Sequence, residues 1–264
     1  MYLYRVPGPG GRPVWAVRES GRYVSAELPD RVRRLAAETA QWVEPGEDVG
    51  PVDGVDPLPP SRPSKVVCVG RNYRKHAEEL GNPIPEEPLI FLKPSSAIIG
   101  TGTAIQYPPQ SNEVHHEAEL AVVMGRRARS VDEDDALDYV AGYTCANDVT
   151  ARDIQRREGK FTHGKGFDTF CPIGPCLRTA DTFDVAEHTV ECRVDGDTRQ
   201  SSGLDDFIFD VPTVLAFVSD IMTLRAGDVI LTGTPAGVGP IELGDEVVVS
   251  IDGIGTLTNP VVSR

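Results

Sequence analysis

Apolar runs in this chain are short, and a glycine or proline closes most of them. The runs Lys65–Val69, Leu89–Leu92, Ile98–Ile99, Leu120–Met124, Tyr139–Ala146 and Asp228–Leu231 sit among breakers such as Gly70, Pro88, Pro94 and Gly227. Proline removes a backbone donor and glycine is entropically costly inside a regular element, so 26 glycines and 22 prolines in 264 residues exclude long helices. Short helices are expected near Pro29–Trp42, within Arg71–Leu80 (stopped by Gly81 and Pro83), over Ala151–Glu158 with Thr150 as its cap, and near Val211–Ser219. The C-terminus alternates strand and turn: Glu246–Ile251, the Asp252-Gly253 turn, then Thr256–Val262. The expected fold is therefore α+β and β-rich, without regular βαβ alternation.

Two strand-like stretches, Val14–Arg18 and Tyr23–Ala26, precede Pro45–Pro63, where Pro, Gly and Asp are too dense for a helix or a central strand. The chain is accordingly divided into a small N-terminal domain with its linker, residues 1–60, and a main domain, residues 61–264. Forty acids against 26 bases give a formal charge of −14, which argues against a nucleic-acid or anionic-membrane surface. No apolar run approaches the roughly 20 residues that span a bilayer. The first residues lack the basic-then-apolar order of a signal peptide, and five cysteines without a Cys-x-x-Cys unit read as free thiols. A cytoplasmic address is expected. Cys171 and Cys176 make at most half of a zinc site.

Chemistry concentrates around Glu117-Ala118-Glu119, which opens the run Leu120–Met124. On a strand the two carboxylates share one face, while Ala118, Leu120, Val122 and Met124 take the other, toward a core. Like charges side by side are costly, and a bound cation is the usual compensation; a solvated edge strand is the plain alternative. A third acid, Asp148, lies where a strand gives way to a helix. Three carboxylates form a hard oxygen site suited to Mg²⁺ or Mn²⁺; Ca²⁺ normally recruits more protein oxygens. His115 and His116 precede Glu117, but without a His-Glu-x-x-His pattern they read as structural or rim residues.

Lys165 stands between Gly164 and Gly166, where a lysine can neutralise an enolate or carboxylate if the backbone approaches a ligand. The alternative is an exposed loop lysine. Arg152 and Gln155 are three apart on the helix after Asp148 and share a face. His76 and Glu79 have the same spacing: Glu79 would orient the imidazole, leaving its other nitrogen to take a proton from water, on a segment able to act as a lid. The Gly-rich stretch Leu231–Gly239 is not a Walker loop, yet its N–H groups and the Thr234 hydroxyl could hold a carboxylate oxygen.

In order, Val69-Gly70-Arg71-Asn72-Tyr73 with His76 and Glu79, Pro88–Pro94, Glu117–Val123, Asn147–Asp153, Lys165–Asp168 and Leu231–Pro235 resemble the fumarylacetoacetate hydrolase superfamily, in its acylpyruvase and oxaloacetate decarboxylase-like branch. The resemblance spans roughly residues 65 to 262. It implies a mixed β-roll catalytic domain, a small N-terminal domain and a homodimer. It implies Mg²⁺ or Mn²⁺ on Glu117, Glu119 and Asp148, with His76 and Glu79 as a catalytic lid dyad and Lys165 as a catalytic pocket residue. Arg71, Arg152, Gln155 and Thr234 become substrate contacts. The expected substrate is a 2-oxo or 1,3-dicarbonyl acid, processed through an enolate held by the cation. The complete His76/Glu79 pair tips the expectation toward C–C bond hydrolysis of acylpyruvates, with oxaloacetate decarboxylation beside it; the isomerase and decarboxylase steps of aromatic catabolism are the enzymatic alternative. A non-catalytic module binding a small acid is the alternative of another class.

Overall fold

The computed structural model describes residues 1–8, 12–39, 45–79 and 83–264. Among these residues an eleven-stranded mixed sheet dominates. Its order is Asp48–Pro51, Arg22–Ser25, Pro13–Glu19, Tyr2–Pro7, Cys171–Thr179, Val140–Asn147, Ala118–Met124, Val229–Leu231, Val66–Gly70 and Leu89–Lys93, with Ile98–Ile99 beside Cys171–Thr179. The N-terminal strands continue this sheet, joined by Tyr2 opposite Arg178 and Leu3 opposite Leu177. Asp48–Pro51, inside the Pro- and Gly-dense stretch, takes the outermost position, where missing donors cost least. Val66–Gly70 and Val229–Leu231 run parallel, whereas the neighbours of Ala118–Met124 are both antiparallel to it.

A five-stranded sheet (Asp197–Gly203, Thr189–Val194, Glu246–Ile251, Gly255–Ser263, Ile105–Tyr107) and a three-stranded one (Thr150–Ala151, Val114–His116, Gly239–Ile241) complete the mixed α+β fold. Ala118, Leu120, Val122 and Met124 join one core with Cys192, Val249 and Leu257 of the second sheet and Val214 and Val218 of the helix Val211–Ile221. Asp210 caps that helix by accepting the Thr213 N–H at 2.9 Å, and Pro212 sits in its first turn, where no donor is needed. Ala121 and Val123 point into a second core with Trp15, Val32 and Leu35. The strand Ala118–Met124 is thus buried on both faces, which excludes the solvated edge.

The first helix runs Asp30–Thr39, directly after Pro29, and residues 40–42 of the expected Pro29–Trp42 stretch lie outside the described residues, as does Gly81. Cys171 and Cys176 belong to different cores, and among the described residues neither joins a group of potential metal ligands. No helix among the described residues is long and apolar enough to cross a membrane.

Candidate metal centre and its cavity

Strand register brings the acids together. Ala118 pairs with Asn147, so the residues just beyond each strand end, Glu117 and Asp148, become neighbours. The Asp148 N–H donates to Glu117 O at 2.8 Å, and the Glu117 N–H donates to Asn147 Oδ1 at 2.9 Å. Ligand oxygens of Glu117, Glu119 and Asp148 all lie within 4.8 Å of one another, and all three side chains are buried.

Cations surround two of the three acids. Lys165 Nζ donates to Glu117 Oε2 at 2.8 Å, Asp148 Oδ2 at 2.6 Å and Thr150 Oγ1 at 2.8 Å. Lys93 Nζ donates to Asp148 Oδ1 at 2.5 Å and Val149 O at 3.0 Å, while Arg152 pairs with Glu117 Oε1. Burial alone would raise the Glu117 carboxyl, but Lys165 and Arg152 outweigh it and hold the group below the ordinary carboxylate range. Burial would likewise lower Lys165; Asp148 and Glu117 prevail and push it up to about 12, so it stays an ammonium.

Glu119 is the exception. Its one hydrogen bond comes from the Gly233 N–H at 2.6 Å, and no ion pair reaches it among the described residues. Burial first, then Asp148 and Glu117, drive its carboxyl well above the usual range. A buried carboxylate wedged between two others and lacking a cation is what a divalent ion would relieve, and an all-oxygen donor set suits a hard dication. The residues fit.

A cavity of about 380 Å³ opens onto the triad. His76, Arg71, Arg152, Gln155, Lys165 and Thr234 line it, so every catalytic and substrate-contact residue expected from sequence except Glu79 reaches the same space. Glu79 stands behind His76: its Oε2 lies 3.3 Å from Nδ1, and the carboxylate also accepts the Gly237 N–H at 3.2 Å. The short helix Arg74–Glu79 is thereby tied to the glycine-rich loop. Burial lowers the His76 pKa, outweighing Glu117 and Glu79, and keeps the imidazole neutral. Arg71 has a left-handed backbone (φ 58°) directly after the strand ends. Arg152 Nη1 donates to Gln155 Oε1 at 2.5 Å, as the shared face requires. Stacked Phe91 and Phe161, 4.7 Å apart, form an apolar wall, with Lys165 Nζ 5.1 Å from the Phe91 ring.

Some local readings are corrected. Thr150 does not cap the following helix; Ala151 holds that position. Thr150 pairs with His115 across a short ladder, and its hydroxyl donates into the acid cluster, with Glu117 Oε1 at 3.1 Å and Asp148 O at 2.9 Å. The glycine before Lys165 serves packing rather than ligand approach, since a Cβ on Gly164 would meet Ala151 O at 2.9 Å. In the loop after Leu231, Gly233 N–H points to Glu119, and Thr234 Oγ1 donates to Ala118 O at 2.9 Å. His115 contacts Glu113 and Arg152, and His116 contacts Gln200.

Sequence reasoning gave no role to Lys93, although a lysine closing the apolar run Leu89–Leu92 before a proline is a visible anomaly. Asn72 was also passed over: its amide donates to Phe209 O and Thr232 O at 2.9 and 2.8 Å, holding the glycine-rich loop against the strand end that carries Arg71.

Residues 65–262 match the family described as Fumarylacetoacetate (FAA) hydrolase C-terminal. The chain belongs to this family. It is 46% identical over 205 residues to the oxaloacetate tautomerase FAHD1, mitochondrial, of Arabidopsis thaliana, covering 76% of this chain and 92% of that one. Its fold matches a 2-hydroxyhepta-2,4-diene-1,7-dioate isomerase from Mycobacterium marinum with TM-score 0.86 and 41% identity, covering 100% and 99% of the two chains. A fumarylpyruvate hydrolase from Pseudomonas aeruginosa, in complex with Mn²⁺ and pyruvate, matches with TM-score 0.70 and 36% identity over 80% of this chain and 93% of that one. Family members are enzymes, and the buried acid cluster of this chain accords with a divalent metal.

Proposed function

We propose that this protein is a Mg²⁺- or Mn²⁺-dependent enzyme acting on 2-oxo acids that carry a second carbonyl or carboxyl in the 1,3 relation. Oxaloacetate is the foremost substrate, through keto–enol interconversion and loss of CO₂. The observation that carries this reading is a triad of buried carboxylates sharing one small cavity with a neutral imidazole. The oxaloacetate-acting relative supports the choice of a C4 dicarboxylate.

Glu117, Glu119 and Asp148 would hold the ion, which supplies a fixed dication that stabilises negative charge developing on substrate oxygen. Charge balance supports a dianionic substrate. Lys93, Lys165 and Arg152 pair with Glu117 and Asp148 only, but they equal the three carboxylates in number, so with a dication relieving Glu119 the site as a whole would carry two net positive charges for a substrate to meet. Arg71, Arg152 and Gln155 line the cavity as donors for the carboxylates. With Nδ1 engaged by Glu79, Nε2 of His76 is the basic nitrogen. It would take a proton from C3, made acidic by carbonyl groups on both sides. Returning that proton to the 2-oxo oxygen completes tautomerisation. Loss of the C4 carboxylate from the keto form as CO₂ leaves the pyruvate enolate, to which His76 would pass, at C3, a proton taken up from solvent. The Lys165 ammonium keeps a positive charge beside the oxygen on which the enolate charge gathers.

A second reading, hydrolysis of acylpyruvates, is favoured by the intact His76–Glu79 pair. There the imidazole would draw a proton from water as it attacks the distal carbonyl, yielding pyruvate and a carboxylic acid. A panel assay decides between them: oxaloacetate enol absorbance, CO₂ and pyruvate release, and acetylpyruvate cleavage, each with Mg²⁺, with Mn²⁺ and after chelation. Chelator-resistant turnover, or no turnover on any member, would refute the proposal. Light scattering on the same samples tests the homodimer we expect from the family.

A further inference from the structure

Gln200 lies on the edge strand Asp197–Gly203 and is its only fully buried residue, 1% exposed. A buried amide on an outer strand must have its polar atoms satisfied, and here all four contacts are made. Oε1 accepts the Ala118 N–H at 3.0 Å and faces His116 Nδ1 at 3.0 Å; Nε2 donates to Thr234 Oγ1 at 2.7 Å and Pro235 O at 2.8 Å. The orientation is forced, because the Ala118 N–H can only donate and the Pro235 carbonyl can only accept. Close approach of the loop to this strand depends on Gly237 (φ 97°), where a Cβ would meet Arg199 O at 2.2 Å. One amide therefore connects the loop that bears Thr234 to the residue between Glu117 and Glu119.

The hydroxyl of Thr234 has one proton. Its oxygen accepts from Gln200, and the proton goes to Ala118 O at 2.9 Å. We propose that Gln200 is a positioning residue that presets Thr234 as a hydrogen-bond donor to the substrate carboxylate. Because Nε2 can only donate, it occupies one lone pair of the hydroxyl oxygen and denies the proton that direction, leaving it the Ala118 carbonyl or a ligand oxygen in the cavity. An N–H donated to the hydroxyl oxygen also polarises the O–H bond and strengthens its donation. The inference rests on the substrate contact assigned to Thr234 under the proposed function.

The test is pyruvate binding to the Mg²⁺-loaded protein, measured by calorimetry for wild type, Gln200→Glu, Thr234→Val and the double variant. In Gln200→Glu an acceptor replaces the Nε2 donor and draws the Thr234 proton away from the ligand. Loss of a hydrogen bond to a charged group predicts a pyruvate Kd roughly 10- to 100-fold weaker in each single variant. Mg²⁺ affinity stays within about threefold, and the double variant binds pyruvate no more weakly than Thr234→Val alone, the signature of coupled residues. A second measurement uses proteins with the native glutamine. The Gln200 side-chain amide resonance should move when pyruvate saturates wild type and stay still in Thr234→Val. Multiplicative losses in the double variant, equal loss of Mg²⁺ affinity in Gln200→Glu, or an unmoved wild-type resonance would each overturn the inference alone. Absence of Mg²⁺-dependent pyruvate binding by wild type would overturn the functional reading, and the inference with it.

Discussion

Glu119→Gln should make the metal-free protein more stable while abolishing its response to metal. The substitution keeps shape and retains an oxygen to accept the Gly233 N–H. It removes a buried carboxyl, crowded by Asp148 and Glu117 and free of any ion pair among the described residues, that must take up a proton for the metal-free chain to fold. Relieving such a group contributes on the order of 1–3 kcal/mol to the metal-free state. For a chain of 264 residues, 1 kcal/mol corresponds to roughly 2 °C in Tm. The metal-free variant should thus melt about 2–6 °C above wild type. Wild type at 100 times its metal Kd gains about 2.7 kcal/mol, or roughly 5 °C, from binding; the variant should gain less than about 1 °C. Thermal denaturation followed by circular dichroism, in chelator and then in Mg²⁺ or Mn²⁺, reads both effects. A variant that melts below wild type in chelator, or that keeps the metal-induced rise, would refute the reasoning that Glu119 is an uncompensated ligand.

Because burial places the His76 pKa below its ordinary 6.5 and the neutral ring is the active form, kcat/KM should stay flat as pH falls to that value and decline only below it. A His76→Ala enzyme should lose acylpyruvate cleavage more than oxaloacetate decarboxylation and show no such acidic limb; a parental rate on acylpyruvate would remove His76 from the mechanism. Asp228 is fully buried and accepts from Ser64 N and Oγ at 2.9 and 2.7 Å, from Arg225 N at 2.8 Å and from the Lys65 ammonium. Asp228→Ala should cost about 3–5 kcal/mol by orphaning these groups, lowering Tm by roughly 5–9 °C, while the metal-induced rise is unchanged; a shift under about 1 °C would contradict it. Stripping the metal with chelator should eliminate turnover on every 2-oxo acid, and added Mg²⁺ or Mn²⁺ should restore it.

Alternation along Glu117–Met124 was legible from sequence because the two-residue period of a strand is a local property. It put both glutamates on one side and four apolar residues on the other, and the cores divide along that line. The short helices were visible for the same reason, at least in outline. Thr150 shows the limit: its sequence context favours a cap, but pairing with His115 and the pull of the acid cluster prevail over local preference.

Residue types and local period by themselves determined that this chain is β-rich, that Glu117 and Glu119 share one strand face, and that His76 and Glu79 are spaced to meet. Tertiary structure alone decided that Asp148 meets Glu117, since register between two strands 30 residues apart is a collective outcome of core packing. It also decided that Lys93 is a partner of Asp148 and that Gln200 reaches Ala118 and Thr234 from another sheet. Such contacts join segments up to 82 residues apart, and no short-range pattern encodes them: each becomes favourable only once burial excludes water and leaves a polar group to find its partners within the protein.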